Sequence, residues 1–327
     1  MKICESGGCM TKLSGAQLRK MFLGTDKEEY LKFEDSTLIP NLNNDLLIST
    51  DFGPLVGKNC SDAGKIAVLN AISDIYVRGG TPLFASVIMI IGNDLIGRES
   101  SVLFRAMLTA CQEAGITITG GNTIVGEQTI IGLTVIGTKG KVTLGKRPCQ
   151  IGDYLFISKP LGTGISLRAY YDGALEEAAY DEAVSIMLKP NKLGEELLNS
   201  KMIHASTDVT GFGLIGTLAE MLDDNQGVEI CLSNIPILSS VSKLNAYAYD
   251  NEYIQNNIKY AQIRQSVEWE FDTIKKIALA DPQTNGPVLL CAEPDFLLSS
   301  LSSQFSLIGK ITDKNGIILK DEYDLFR

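Results

Sequence analysis

The sequence predicts an α+β protein built from two α/β domains. Its 327 residues are about twice the length of an average domain. Aliphatic and β-branched runs alternate with amphipathic helical segments, and turns of Gly, Pro and Asn separate them. The alternation starts again after Pro148, which places the domain boundary near residues 148–155. We therefore divide the chain into a mobile glycine-rich arm (1–15), an N-terminal domain (16–150) and a C-terminal α/β domain (151–327).

In the N-terminal domain the first clear strand is at residues 45–52, DLLISTDF. Ser61-Asp62 can cap a helix that runs to about Arg78, where Gly79-Gly80 ends it. A buried strand, an amphipathic helix ended by Gly115 and two further strands follow at residues 83–91, 97–114, 116–119 and 129–137.

The C-terminal domain begins with a predicted strand at residues 154–158, followed by a helical stretch over 165–198. A second helix follows Gly213. Three short strands are predicted near residues 228–232, 288–292 and 306–311. Residues 240–270 are polar and rich in tyrosine, and their pattern predicts no element.

Charge and histidine content exclude several classes of function. With 29 basic and 39 acidic residues the net charge is −10, which argues against nucleic acid as the main partner. The single histidine, His204, argues against Ser-His-Asp hydrolysis and multi-histidine metal sites, and we interpret it as structural. Chemistry must therefore depend on Asp, Lys, Cys and backbone groups.

The cysteines and the apolar runs predict a cytoplasmic protein with reduced thiols. The seven cysteines are dispersed and form no C-x-x-C pair, which argues against a zinc knuckle or a thioredoxin-type pair. The N-terminal residues have no apolar signal core. The best apolar run, residues 85–92, is far shorter than the ~20 residues that span a bilayer, so we expect no membrane partner.

Four aspartates, Asp35, Asp51, Asp74 and Asp208, lie at strand ends or inside apolar segments. An unpaired buried carboxylate is costly, and a hard cation such as Mg²⁺, which also binds phosphate oxygens, would offset that cost. On a helix Asn70 shares a face with Asp74. The alternative is that each Asp caps a helix or closes a turn, although capping does not explain Asp74 inside a helix.

Three glycine motifs can bring backbone N–H groups close to phosphate. They are Gly120-Gly121-Asn122-Thr123, Pro160-Leu161-Gly162-Thr163-Gly164 after Lys159, and Gly211-Phe212-Gly213. None matches a Walker A loop or a complete dinucleotide fingerprint, and each can equally be a simple turn.

The segment Gly7-Gly8-Cys9-Met10-Thr11-Lys12 carries a thiol three residues before a lysine. The nearby ammonium group would favour the thiolate and make Cys9 a candidate nucleophile. The alternative is an N-terminal tail that contains Cys and Lys by chance.

Together these motifs resemble selenophosphate synthetase (selenide, water dikinase), a family of the aminoimidazole ribonucleotide synthetase-like superfamily. The resemblance covers nearly the whole chain, and the wider superfamily lacks the Cys-x-x-Lys arm. The segments that carry it are residues 207–213 (TDVTGFG), 70–74 (NAISD), 281–286 (DPQTNG), 159–164 (KPLGTG) and 6–9 with Lys12.

The resemblance implies two α/β domains of the aminoimidazole ribonucleotide synthetase-like fold. The N-terminal sheets of two copies would pair into a barrel in a homodimer, so residues 16–150 would bind ATP and dimerise. The family converts ATP, selenide and water to selenophosphate, AMP and orthophosphate with several Mg²⁺ ions. The resemblance also leaves room for K⁺ and for a selenium-delivery protein.

The resemblance assigns roles to matching residues, with the arm (1–15) as a catalytic lid. It implies Cys9 and Lys12 as catalytic residues and Asp35, Asp74 and Asp208 as metal ligands. The implied ATP contacts are Lys12, Lys32, Phe33, Glu34, Asp51, Asp74, Gly121, Asn122 and Thr123.

Several positions depart from the family pattern. Glu34 stands before Asp35 where the family usually has a second Asp, and Asn122 stands where it usually has His. The usual Glu-Pro is replaced by Gln128-Thr129, and no Pro-Gly-Gly-Thr segment occurs between about 245 and 260. Two alternatives therefore stay open: another ATP-dependent kinase or synthetase of the superfamily, and a non-catalytic ATP-binding paralogue.

Overall fold

A computed structural model describes residues 36–39, 45–244, 251–267 and 273–322. Within these ranges the chain forms two sheets, one in each half, and helices pack on both. The predicted class, α+β with two α/β domains, is confirmed in these ranges. The boundary predicted near residues 148–155 stays a prediction.

The first sheet has five strands in the order β1-β2-β5-β3-β4. All neighbours pair antiparallel except β3 and β4. The sheet is open within one chain, with β1 and β4 at its edges. The strands are β1 (Thr37–Ile39), β2 (Leu46–Pro54), β3 (Thr81–Gly92), β4 (Thr117–Gly126) and β5 (Ile130–Thr138).

Helices α1 (Cys60–Tyr76) and α2 (Arg98–Glu113) cover one face of this sheet and bury its aliphatic side chains. They also pack against each other, and Gly64 of α1 allows the close approach: a Cβ there would lie 2.5 Å from the carbonyl oxygen of Leu103. Apolar side chains on the opposite face stay exposed, among them Phe84 at 45% and Ile136 at 36%.

The start of α1 corrects one prediction. Asn59, and not Ser61-Asp62, caps the helix, because its side-chain oxygen accepts the N–H of Asp62 at 3.0 Å. The Asn59 amide in turn donates to the Asp62 carboxylate at 2.9 Å. Asp62 therefore lies inside the first turn, where its negative charge favours the helix N-terminus.

The second sheet has six strands in the order β11-β8-β10-β6-β9-β7, antiparallel except for β8 with β11. Its strands are β6 (Tyr154–Ile157), β7 (Ile203–Asp208), β8 (Gly227–Cys231), β9 (Val288–Ala292), β10 (Ser306–Thr312) and β11 (Gly316–Lys320). Its helices are α3 (Thr163–Tyr171), α4 (Glu177–Met187), α5 (Glu195–Asn199), α6 (Gly213–Met221), α7 (Glu252–Arg264) and α8 (Ile274–Leu279).

The prediction of one helical stretch over residues 165–198 is wrong. It comprises α3, α4 and α5. Gly173, with φ of +73°, separates α3 from α4, and a segment that contains Pro190 separates α4 from α5. Helix α7 occupies part of the region for which the sequence predicted no element.

The two halves meet along α1 and the loop before it. Val56 and Ile66 of the N-terminal half join the main apolar core of the C-terminal half. Lys58 forms ion pairs with Glu177 at 2.8 Å and Asp181 at 2.7 Å on α4. One end of α1 is therefore fixed against the C-terminal half, which places its polar face at the junction.

Among the helices of the described ranges, none has the length and apolar character needed to cross a membrane. The five cysteines in these ranges are buried, and none of them is in a disulfide bond.

Candidate functional site

A cleft opens where β2, α1 and β5 meet the C-terminal half. It has about 380 Å³ of empty space, part of it open to solvent. Asp51 and Asn70 line it from the N-terminal half, and Thr284 lines it from the C-terminal half. Apolar walls come from Phe52 and Ile131, among others. A concave site with apolar walls and a few polar groups is the usual form of a small-molecule site.

β2 presents alternate residues to α1, because side chains alternate between the two faces of a strand. Leu47, Ser49 and Asp51 point towards the helix and are buried, whereas Thr50 points away and is exposed. The Asp51 carboxylate accepts a hydrogen bond from the Asn70 amide on α1. The position of Asp51 is therefore set by the helix as well as by the strand.

Asn70, Ser73 and Asp74 lie on one side of α1, as the helical repeat requires. The hydroxyl of Ser49 donates to the Asp74 carboxylate, and the hydroxyl of Ser73 donates to the Asp208 carboxylate at the end of β7. Three predicted site residues, Asp51, Asp74 and Asp208, are thus brought to the same stretch of α1.

Two asparagines of the C-terminal half contact the same stretch of α1. The backbone N–H of Asn285 donates to the Asn70 side-chain oxygen at 2.6 Å. The Asn191 side-chain amide donates to the Ser73 hydroxyl at 2.9 Å. Asn191 and Asn285 are 2% and 0% exposed, so these contacts are shielded from water.

Lys159 lies behind this group and is 5% exposed. Its ammonium group donates to the carbonyl oxygens of Lys189 at 2.7 Å and Asn285 at 2.9 Å. Burial lowers the pKa of Lys159 to about 7; the nearby Asp208 carboxylate opposes that shift and Lys189 adds to it. Lys159 therefore joins the segment after α4 to the loop that carries Asn285.

The glycine segment 162–164 is held by the loop that follows α8. The side-chain oxygen of Gln283 accepts the N–H groups of Gly162 and Thr163, both at 3.1 Å, and Asp281 accepts the N–H of Gly164 at 3.0 Å. These N–H groups are thereby satisfied within the protein. The segment is a packed turn, so its backbone offers no open cradle for a phosphate at these three positions.

The carboxylates of the site offer the oxygen ligands that a hard cation prefers, but they do not surround a metal ion by themselves. All three carboxylates supply oxygen ligands, which Mg²⁺ prefers. Within the described ranges, however, no group of three or more acidic, cysteine or histidine side chains is close enough to hold a metal ion. Mg²⁺ often binds through one or two carboxylates together with substrate phosphates and water, and this pattern fits the arrangement.

The structure does not bring every predicted residue together. Gly121, Asn122 and Thr123 lie on β4, the edge strand, separated from β2 by β3 and β5. At about 4.8 Å per strand, this is a separation of about 14 Å. The predicted residues Cys9, Lys12, Lys32, Phe33, Glu34 and Asp35 lie outside the described residues.

His204, interpreted as structural, has a partner that the sequence did not reveal. Its Nδ1 lies 2.9 Å from a carboxylate oxygen of Asp153, which is 3% exposed. This pair is in the C-terminal sheet region, away from the residues that line the cleft.

Comparison with known proteins places the chain in a family. Residues 33–139 match the AIR synthase related protein, N-terminal domain, and residues 150–322 match the AIR synthase related protein, C-terminal domain. A selenide, water dikinase from Salmonella typhi is 34% identical over 95% of this chain and 94% of its own. The chain belongs to the selenide, water dikinase family.

A second selenide, water dikinase, from Desulfitobacterium hafniense (strain Y51), is 29% identical over 96% of both chains. Among solved structures, AaThiL complexed with AMPPCP and TMP superposes with a TM-score of 0.71 over 95% of each chain, at 17% identity. That likeness shows a shared fold. It also agrees with the fold that the resemblance implied.

Within this selenide, water dikinase family member, sequence reasoning found the carboxylates but not the groups that hold them. Ser49, Ser73, Asn191 and Asn285 received no role from the sequence, although Asn285 lies in the recognised segment 281–286. The available signal for Ser49 was its place two residues before Asp51 on a strand. For Asn191 the sequence offered none, because its contact with Ser73 spans 118 positions.

Proposed function

We propose that this chain is a selenophosphate synthetase, which converts ATP, selenide and water to selenophosphate, AMP and orthophosphate. The observation that carries the proposal is that Asp51, Asp74 and Asp208 meet at one stretch of α1, in a chain of the selenide, water dikinase family. Two phosphoryl groups leave the nucleotide in this reaction, one to selenide and one to water. Catalysis of such transfers depends mainly on positioning and on neutralising phosphate charge.

We propose that Asp74 and Asp208, with Asp35, hold Mg²⁺. When bound, Mg²⁺ would neutralise charge on the phosphates and orient them. The chain's own contribution is to fix the carboxylates before the nucleotide arrives, through Ser49 for Asp74 and Ser73 for Asp208. K⁺ as a further ion stays a prediction of the resemblance.

The proposed nucleophile explains why a chain with one histidine can support this chemistry. Selenide is already an anion at neutral pH, so no side chain has to remove a proton from it. The role of the protein is to exclude water from the first transfer and to supply positive charge. We propose that Lys12 supplies positive charge near the phosphates and that Cys9 handles selenium.

We further propose a homodimer in which the exposed faces of the N-terminal sheets meet. Phe84 on β3 pairs with Ile136 on β5, and both side chains are exposed in one chain. On β4, Ile124 is 53% exposed and lies on the same face, because it pairs with Ile90, six residues after Phe84 on β3. A contiguous exposed apolar face of this kind favours association. A dimer would also allow β4 of a second copy to bring Gly121, Asn122 and Thr123 to the cleft.

Cytoplasmic location and delivery of selenium by a protein partner remain predictions. Neither affects the chemistry of the cleft, and purified protein with free selenide tests the central reaction without them.

The test is a product assay by phosphorus NMR with ATP, Mg²⁺ and either selenide or sulfide. We expect AMP, orthophosphate and a selenium-bonded phosphate with selenide. Cys9→Ser and Lys12→Ala should each abolish selenide-dependent AMP formation; an unchanged rate in both would show that the mechanism assigned to the arm is wrong. Met10→Leu, between the two residues, is the control and should keep the wild-type rate.

The same assay separates the alternatives. ADP as the nucleotide product with another acceptor would identify another kinase or synthetase of the superfamily. Nucleotide and Mg²⁺ binding by calorimetry, without turnover on either chalcogen, would identify a non-catalytic paralogue.

A further inference from the structure

We propose that Asn191 is a positioning residue that fixes the Asp208 carboxylate through the hydroxyl of Ser73. By this relay the C-terminal half would set the geometry of a metal ligand from a segment that carries no ligand itself. The inference rests on the proposed role of Asp208 in holding Mg²⁺. It adds to that role a residue to which neither the sequence nor the family resemblance assigned a task.

The relay consists of two hydrogen bonds in series. The Asn191 amide nitrogen donates to the Ser73 hydroxyl oxygen at 2.9 Å, and the same hydroxyl donates to Oδ2 of Asp208. A serine hydroxyl has one proton and can rotate. Because the amide of Asn191 occupies an acceptor position of the Ser73 oxygen, the proton of Ser73 is directed at Asp208.

Because the three residues are buried, the position of the Asp208 carboxylate depends on the orientation of the Ser73 hydroxyl. Asn191 is 2% exposed, Ser73 is 0% exposed and Asp208 is 5% exposed. Water is therefore a poor replacement for either donor, and a buried polar group that loses its partner stays unsatisfied at a cost in free energy. If Asn191 is removed, the hydroxyl of Ser73 is free to turn away from Asp208.

Asn191 is itself held in place on its other side. Its amide also donates to the carbonyl oxygen of Gly286 at 3.0 Å. Two residues earlier, the carbonyl oxygen of Lys189 accepts from Lys159 at 2.7 Å and from the Asn285 side chain at 2.9 Å. The segment 189–191 is thus attached to the loop 285–286, and the Asn191 donor cannot move without disturbing both.

Asn191 acts here as a donor. Within the ranges that the structure describes, its side-chain oxygen has no hydrogen-bond partner. An aspartate at this position would have the same shape but could not donate to Ser73, and it would add a negative charge near Asp208. Asn191→Asp is therefore expected to be more damaging than Asn191→Ala, although its shape is closer.

The test measures metal binding directly, without selenide and without turnover. Mn²⁺ is titrated into the full chain at a saturating concentration of a non-hydrolysable ATP analogue, and free Mn²⁺ is followed by electron paramagnetic resonance. Substitution of a residue that orients a metal ligand lowers metal affinity about 10–100-fold. We expect a loss in that range for Asn191→Ala and Ser73→Ala, and a larger loss for Asn191→Asp.

The double variant distinguishes a relay from two separate effects. If Asn191 acts through Ser73, adding Asn191→Ala to Ser73→Ala should weaken Mn²⁺ binding no further. The matched control is Gln226→Ala, which removes a side-chain donor to the carbonyl of Cys149 at 2.7 Å in the same half of the chain. Its Mn²⁺ affinity should equal that of the wild type.

The proposal is overturned if folded Asn191→Ala binds Mn²⁺ with wild-type affinity. It is also overturned if the losses of affinity from Asn191→Ala and Ser73→Ala add in the double variant. If Asn191→Ala and Ser73→Ala both fail to fold, by circular dichroism, the role is structural and the proposal is also overturned. The proposed function can fail separately: wild-type chain that binds Mn²⁺ with nucleotide but forms no AMP from selenide would refute the activity and leave the relay intact.

Discussion

The backbone N–H of Asn285 donates to the side-chain oxygen of Asn70 at 2.6 Å and joins two residues 215 positions apart. The amide nitrogen of the same Asn70 side chain donates to the carboxylate of Asp51. One planar group therefore contacts the C-terminal half with its oxygen and a predicted site residue with its nitrogen. The packing of the two halves and the orientation of Asp51 depend on each other.

Asn70→Asp should weaken nucleotide binding about 10–100-fold. The substitution keeps the shape and the acceptor for Asn285, but it removes the donor to Asp51 and places two carboxylates together. An unsatisfied buried polar group costs about 1–3 kcal/mol, and about 1.4 kcal/mol corresponds to a factor of ten. Calorimetry with a non-hydrolysable ATP analogue and Mg²⁺ would measure the change.

Asn59→Asp provides the matched control, since it makes the same change on the same helix. Asn59 caps α1 from an exposed position, and aspartate is an equally good cap. Its nucleotide affinity should stay within about twofold of the wild type, a margin set by the small energy of exposed charges. Equal losses for the two variants would show that charge alone, and not the Asn70 contacts, matters.

Gly64→Ala should destabilise the protein, against the usual helix preference. Alanine favours a helix interior over glycine by about 1 kcal/mol. At Gly64, however, the new Cβ would lie 2.5 Å from the carbonyl oxygen of Leu103 and 3.0 Å from the Cβ of Ala106. Overpacking of this kind costs about 1–3 kcal/mol, so we expect a net loss in the free energy of unfolding measured with urea.

The control for this change is Gly194→Ala. Gly194 has φ of −71°, and a Cβ there would meet no atom within 4 Å. Its effect on stability should be small, because alanine restricts the unfolded chain but is a poorer residue than glycine at this N-cap position of α5. A stability gain for Gly64→Ala would mean that α1 and α2 separate more easily than their packing indicates.

Phe84→Asp should convert the proposed dimer to a monomer. The side chain of Phe84 is 45% exposed on the open face of the N-terminal sheet, beside Ile136 on the paired strand. A buried unpaired carboxylate in an apolar interface is strongly unfavourable. Analytical ultracentrifugation would measure the mass in solution.

Ile263→Asp, at a position 72% exposed on α7, is the control and should leave the mass unchanged. A wild-type monomer at all concentrations would refute the homodimer.

The parts of the fold that could be predicted are those with a strong local pattern. β2 and α1 were placed within a few residues because apolar residues recur at the strand or helix period and a glycine pair ends the helix. β7 was missed since its sequence, IHASTD, is short and largely polar, and tertiary packing alone buries it. Helix α7 has the apolar positions Ile254, Ile258 and Ala261 on one face, but tyrosines and asparagines obscure that pattern in the sequence.

The residues of the candidate site likewise fall into those with a local signal in the sequence and those without one. Asp51, Asp74 and Asp208 could be found because a carboxylate inside an apolar segment is a local anomaly that a single sequence displays. Asn191 and Asn285 could not be assigned a role, because a buried asparagine is defined by its partners, and these lie 118 and 215 positions away. The edge position of Gly121 on β4 likewise depends on strand order, which the local pattern does not encode.

Loss of the proton from Asp281 should lower the free energy of unfolding as the pH rises from 4 to 8. Burial, with 0% of the residue exposed, raises the pKa of Asp281 to about 7, although hydrogen bonds from Gly164 and Gln283 oppose the shift. The unfolded chain releases this proton near pH 3.9. Between about pH 4 and pH 7 the folded state therefore binds more protons than the unfolded state, and stability falls as pH rises.

Asp281→Asn removes that proton from both states. The free energy of unfolding of the wild type, relative to the variant, should therefore decrease by roughly 2–4 kcal/mol between pH 4 and pH 8, since each tenfold change in proton affinity is worth about 1.4 kcal/mol. Urea unfolding at intervals across this range would measure it. Asp313→Asn removes the same charge from the exposed turn after β10 and controls for net charge. Parallel pH profiles for wild type and Asp281→Asn would mean that the buried carboxylate is ionised throughout, and that the loop holding residues 162–164 tolerates its charge.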